Sequence, residues 1–130
     1  MKMTDNVLYI NEPVRCAVLI PASINPYIAE APPSLITHNF LTPENLFFVR
    51  NHGPVPRLDP LHYSLKIEGE VYSPKEYDLD RLNHNYTEIV ATISCASNRS
   101  RDFDNHSPIQ GPVMSSGAIG TALWGGTHLH

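Results

Sequence analysis

The stretch Glu88-Ile89-Val90-Ala91-Thr92-Ile93-Ser94-Cys95-Ala96-Ser97-Asn98-Arg99 passes from a run of β-branched residues into a polar turn, with a thiol at the boundary. Isoleucine, valine and threonine suit a pleated, packed surface, so residues 88–94 are expected to form a buried strand. Such a strand holds Cys95 rigidly on one side and presents it to a cleft on the other. The thiolate is the reactive and metal-binding form of cysteine, and the nearby guanidinium groups of Arg99 and Arg101 favour it. A free cysteine is also among the most often buried residues, so packing alone would explain this one equally well. The rest of the chain has to decide.

Upstream, Tyr63-Ser64-Leu65-Lys66-Ile67-Glu68 alternates apolar and polar residues, the period of a strand with one face on a core. Asp78 is expected to cap a short helical turn holding Leu79 and Leu82. In Thr42-Pro43-Glu44 the threonine reads as an N-cap with proline at the first helical position, giving one turn over residues 44–47. The apolar run Leu46-Phe47-Phe48-Val49 should then bury itself. Residues 21–33 are proline-rich and read as an extended loop crossing a surface. Twelve prolines and seven glycines exclude long helices. The fold class expected is α+β, mixed and mainly β, without the β-α-β rhythm of a doubly wound sheet.

The 130 residues suffice for one domain of modest size, and a hydrophobic share of 42% permits a core. No run approaches the ~18 apolar residues of a membrane span, and the longest early candidate, residues 16–20, is closed by Pro21. No membrane partner is expected. The formal charge of −4 is scattered, with Arg99 and Arg101 the only close arginine pair, which argues against a nucleic-acid partner and leaves room for a small anion pocket. Cys16 and Cys95 are too few for a disulfide framework and read as two free thiols, with a single bridge as the alternative. Met1-Lys2-Met3-Thr4-Asp5 lacks the features of a secretory signal or transit peptide, so the compartment stays open.

A zinc site fits poorly: no Cys-x-x-Cys or His-x-x-x-His accompanies Cys95, and the histidines at 38, 52, 62, 84 and 106 are widely spread. The pair His128 and His130 reads as incidental. A cysteine hydrolase could use His52 or His106 as base, but no nucleophile signature is present. In Phe48-Val49-Arg50-Asn51-His52-Gly53, a permanent cation, an amide and an imidazole precede a tight Gly-Pro turn. That set suits an anion with several acceptor atoms. The plainer alternative is an exposed loop in which Arg50 pairs with a carboxylate such as Glu44.

Taken in order, several pieces resemble the N-terminal half of the molybdenum-cofactor domain of the sulfite oxidase and assimilatory nitrate reductase family. They are Ala29-Glu30-Ala31-Pro32-Pro33, Leu41-Thr42-Pro43, the run from Phe47 to Pro56, the strand near Tyr63, the Cys95 turn, and Gly117-Ala118-Ile119-Gly120 before Leu123-Trp124. The resemblance implies a truncated, mainly β molybdopterin-binding domain over residues 25–130, preceded by an extension over residues 1–24. It implies that Cys95 is the protein's thiolate ligand to molybdenum, in a molybdenum-molybdopterin cofactor. It further implies that Arg50, Asn51 and His52 contact the cofactor, that Phe48 and Val49 position them, and that Arg99 supports the catalytic thiolate.

The chemistry implied is oxygen-atom transfer, sulfite to sulfate, with nitrate reduction as the alternative and a non-catalytic cofactor-binding remnant as a third reading. The implied partners are a small oxyanion substrate and an electron acceptor such as cytochrome c or oxygen. Full-length members are homodimeric, and the mitochondrial intermembrane space, peroxisome and cytosol all fit. Three positions depart from the family's pattern: Ser97 stands for glycine, Ser100 for a second arginine, and Met114 for an aromatic residue. Ser97 is expected to be strained if that glycine serves a positive φ. The chain ends at His130, where the family continues through the rest of the pocket and a dimerisation domain.

Overall fold

A computed structural model describes residues 8–84 and 86–128. The Met1–Asp5 reading and His130 lie outside the described residues. Strands β1 (Ile20–Ser23), β2 (Ile28–Glu30) and β3 (Val49–Arg50) form an antiparallel sheet in that order. A short helix α1 (Pro33–Ile36) and a 3-10 turn (Glu44–Leu46) connect β2 to β3. Strands β4 (Ser64–Ile67) and β5 (Lys75–Asp78) make a hairpin, followed by α2 (Leu79–His84), β6 (Tyr86–Ser94), α3 (Ser100–Asp104) and β7 (Ile119–Thr127). β6 pairs with β7. No helix among the described residues is long and apolar enough to cross a membrane.

The chain folds as two units. The first holds the described residues up to Val55 together with Ala91–Ala122. Its interior is two small clusters. Leu19, Ala29 and Ala31 bury together with Leu46 and Val49 against them, while Ile28, Met114 and Ala118 form the second, flanked by Phe48 and Cys95. Alternation along β2 assigns the clusters: Ala29, opposite Val49, serves one face, and Ile28, opposite Arg50, serves the other.

The second unit holds Pro56–Val90 and the described residues from Leu123 onward. Leu65 faces Tyr77 and Lys66 faces Glu76 across its hairpin. Ser64 Oγ donates to Glu76 Oε1 at 2.6 Å. Asp78 caps α2 as expected, its Oδ1 accepting the Arg81 amide at 2.8 Å.

Four expectations are corrected. The proline-rich residues 21–33 are not a surface loop, because their backbone joins a ladder and Ile28, Ala29, Glu30 and Ala31 are all buried. Prolines are tolerated there at a strand edge and a turn; the Asn25–Pro26 peptide in the connection is cis. Thr42 does not cap the turn after it: its Oγ1 accepts the Thr121 amide at 3.1 Å, while its own amide donates to the Thr121 carbonyl at 2.8 Å. β6 spans the predicted strand but is mostly exposed, since among the described residues it has one strand neighbour, β7, and little lies on its faces. The positive φ in the Cys95 turn falls at Arg99 (φ 65°) and not at Ser97, which therefore carries no such strain.

Candidate functional site

β6 ends at Ser94 and hands the chain to a turn in which the Asn98 amide donates to the Cys95 carbonyl at 2.9 Å. The Cys95 amide donates to the Ala118 carbonyl at 2.9 Å, extending the β6–β7 pairing by one residue. Cys95 and Cys16 are both free thiols. Cys95 is half-buried at the Ile28–Met114–Ala118 cluster, and its Sγ lies 2.9 Å from Ser97 Oγ.

The turn is bracketed from residues 114–118. Arg99 and Arg101 donate backbone N–H groups to the carbonyls of Ser115 and Met114, at 2.5 and 3.0 Å. Asn98 Oδ1 accepts the Ala118 amide at 3.2 Å, and Ser100 Oγ accepts the Met114 amide at 2.9 Å. These bonds hold Arg99 in a left-handed conformation that a non-glycine residue adopts only when its surroundings impose it.

The bracket is in turn fixed to the first sheet by Glu30. Its carboxylate is 3% exposed, and its two oxygens accept the amides of Ser115 at 2.7 Å and Gly117 at 2.9 Å. Gly117 is pressed so closely on Ala31 that a Cβ there would collide with the Ala31 carbonyl oxygen. Only glycine permits this approach.

Residues 48–52 enter the same unit along β3. Phe48 packs on the cluster that Cys95 touches. Its neighbour Val49 turns the other way, onto the Leu19 cluster, where with Arg15, Cys16 and Phe47 it lines a cavity of about 480 Å³. Arg50 is exposed, and its Nη1 donates to the Asn51 carbonyl at 2.8 Å, so the guanidinium is held by its own turn and not by Glu44. The Asn51 amide N–H donates to the Tyr27 carbonyl at 3.3 Å, which leaves the side chain to face inward. Its Nδ2 is buried and has no hydrogen-bond partner among the described residues. A buried donor without an acceptor is costly unless a ligand supplies one. His52 is exposed at the turn that follows.

The Arg99 guanidinium is exposed and engaged by Asp102, with Nε and Nη2 at 2.8 and 2.7 Å from Oδ2. The donor set therefore comprises a soft sulfur on a rigid strand end, an unsatisfied amide donor, and the accessible cation and imidazole of Arg50 and His52. Such a set fits a sulfur-seeking metal carried by a polar, anionic organic group. Motif spacing alone did not point to Glu30, nor to the contacts joining Ser97, Ser100 and Met114; the one sequence signal was that the last three depart from the pattern.

Comparison with known proteins bears on this set. The oxidoreductase molybdopterin binding domain matches residues 52–130. Mitochondrial sulfite oxidase of Macaca fascicularis is 42% identical over 124 residues, covering 93% of this chain and 23% of that protein. The human mitochondrial sulfite oxidase is 41% identical with the same coverage. A nitrate reductase [NADPH] of Emericella nidulans is 38% identical over 109 residues, covering 79% of this chain and 12% of that protein. The chain thus spans about a quarter of the length of the sulfite oxidases it matches.

Proposed function

Because the chain belongs to the oxidoreductase molybdopterin binding domain family, we propose that its Cys95 unit is the molybdenum-ligating part of a sulfite oxidase-type enzyme that transfers an oxygen atom to sulfite. The observation that carries this reading is a half-buried Cys95 sulfur at the Ile28–Met114–Ala118 cluster in the same unit as the acceptorless Asn51 amide. When bound, molybdenum-molybdopterin supplies two-electron redox chemistry and exchange of an oxygen atom with the substrate.

In this reading Cys95 is the sulfur ligand, kept in place by the strand end and the bracket behind it. Asn51 donates its free Nδ2–H to the organic part of the cofactor, and Arg50 and His52 add a cation and an imidazole for its anionic groups. Phe48 and Val49 anchor this segment in opposite clusters, and Arg99 is the left-handed residue of the turn, its guanidinium engaged by Asp102. The extension over residues 1–24 is anchored in the first unit through Leu19 and β1.

Sulfite is preferred because the two mammalian sulfite oxidases match 93% of the chain against 79% for the nitrate reductase, at 42% and 41% identity against 38%. Nitrate reduction is the second reading, carried by that nitrate reductase match. An electron acceptor such as cytochrome c or oxygen, and a homodimer, complete the proposal.

The test is molybdenum analysis of the chain expressed in a host that makes molybdopterin, beside Cys95→Ser. About one metal per chain in the parent and loss in the variant is the expected result. No molybdenum in either, or equal amounts in both, overturns the reading and leaves a non-catalytic role. Sulfite and nitrate turnover by the loaded protein then separates the two substrates.

A further inference from the structure

The three departures from the family pattern meet one another beneath Cys95. Ser97 Oγ lies 2.9 Å from Cys95 Sγ and 3.4 Å from Met114 Sδ. Ser100 Oγ accepts the Met114 amide, and Met114 is fully buried. The Met114 thioether is thus fixed, and the Ser97 hydroxyl stands between two sulfurs.

A hydroxyl has one proton and two lone pairs, so it can donate to only one of the two. While Cys95 is a thiol, its S–H donates to Ser97 Oγ and the Ser97 proton goes to Met114 Sδ. A Cys95 sulfur that has given up its proton to bind a metal offers only lone pairs. It carries negative charge and outcompetes a thioether as acceptor. The hydroxyl then turns toward it.

We propose that Ser97 is a positioning residue whose hydroxyl swings from the Met114 thioether to the Cys95 sulfur when that sulfur ligates the metal. The proposal rests on the cofactor reading above for its ligated state and on the observed contacts for its free state. Hydrogen bonds to a ligating sulfur withdraw electron density from the metal–sulfur bond and tune the redox potential. A glycine at this position has no hydroxyl to offer, so the device belongs to this chain's own residues.

The experiment has two arms, both on the full chain. In the metal-free protein, the S–H stretch of Cys95 is identified in the Raman spectrum as the band lost in Cys95→Ser. It is expected to move to higher frequency in Ser97→Ala and to stay near the parent in Ser97→Thr, which keeps the hydroxyl. Ser97→Gly repeats the measurement should the alanine variant fail to fold. In the molybdenum-loaded protein, Ser97→Ala is expected to retain metal, shift the sulfur-to-metal charge-transfer band to lower energy and lower the metal's midpoint potential, with Ser97→Thr restoring both. An unmoved S–H band overturns the hydrogen bond, and an unmoved charge-transfer band and potential overturn the switch while leaving the cofactor reading intact. A parent that takes up no molybdenum overturns the cofactor reading and the ligated state together, and the S–H band still decides the free state.

Discussion

Glu30 shows how one side chain can organise a turn it does not belong to. Its two oxygens satisfy a buried and a half-buried amide at once, and no neutral residue does this equally well. Glu30→Gln keeps the shape but turns an NH₂ toward a backbone N–H, and is expected to destabilise the first unit by about 1–3 kcal/mol, read as a lower urea midpoint. Asp59 makes the complementary point at the surface. Its carboxylate accepts the His62 ring at 2.6 Å and the Leu61 amide at 3.0 Å, and these bonds, that of His62 first, hold its pKa below the ordinary carboxylate value. A depressed folded pKa contributes stability above the unfolded value that is lost as pH falls through the folded one. The Leu61 amide resonance should therefore titrate below the usual carboxylate midpoint in NMR, and lose that transition in Asp59→Asn.

At the scale of elements, what could be read in the sequence was local chemistry. The Asp78 cap, the β4 strand and the strand ending at Cys95 each depend on neighbouring residues and formed where expected, although among the described residues the core expected under one face of β4 is absent, with Leu65 36% exposed. Partners distant in sequence were not legible. Nothing in Thr42 announces Thr121, and nothing in the prolines around β2 announces that its backbone would be sandwiched between β1 and β3. The apolar, β-branched composition of β6 signalled a strand correctly, but burial depends on what covers it, and Ile89 and Val90 are 60% and 52% exposed. Of the candidate site, the place of Cys95 at a strand end was readable from the sequence, whereas the inward side chain of Asn51 and the opposite facing of Phe48 and Val49 required the fold. Exposed apolar strands invite edge-to-edge association. Ile89→Thr with Val90→Thr keeps strand propensity while removing apolar surface, and should lower light scattering at equal concentration without loss of β content by circular dichroism.

At the scale of the whole chain, the site's residues come from stretches far apart, residues 48–52 and 95–101, braced by Glu30 and residues 114–118, yet all fall within the first unit. The second unit supplies none of them. The amides that Glu30 holds lie 85 and 87 residues further along the chain. Contacts of that separation require a large loop to be closed before they return any stabilisation, and they form late. During synthesis the turn carrying Cys95 leaves the ribosome before Ser115 and Gly117 have emerged to brace it. The sulfur therefore passes through an interval in which the first sheet has been made but its own setting has not, and the geometry that would receive a cofactor is among the last features of this unit to be completed.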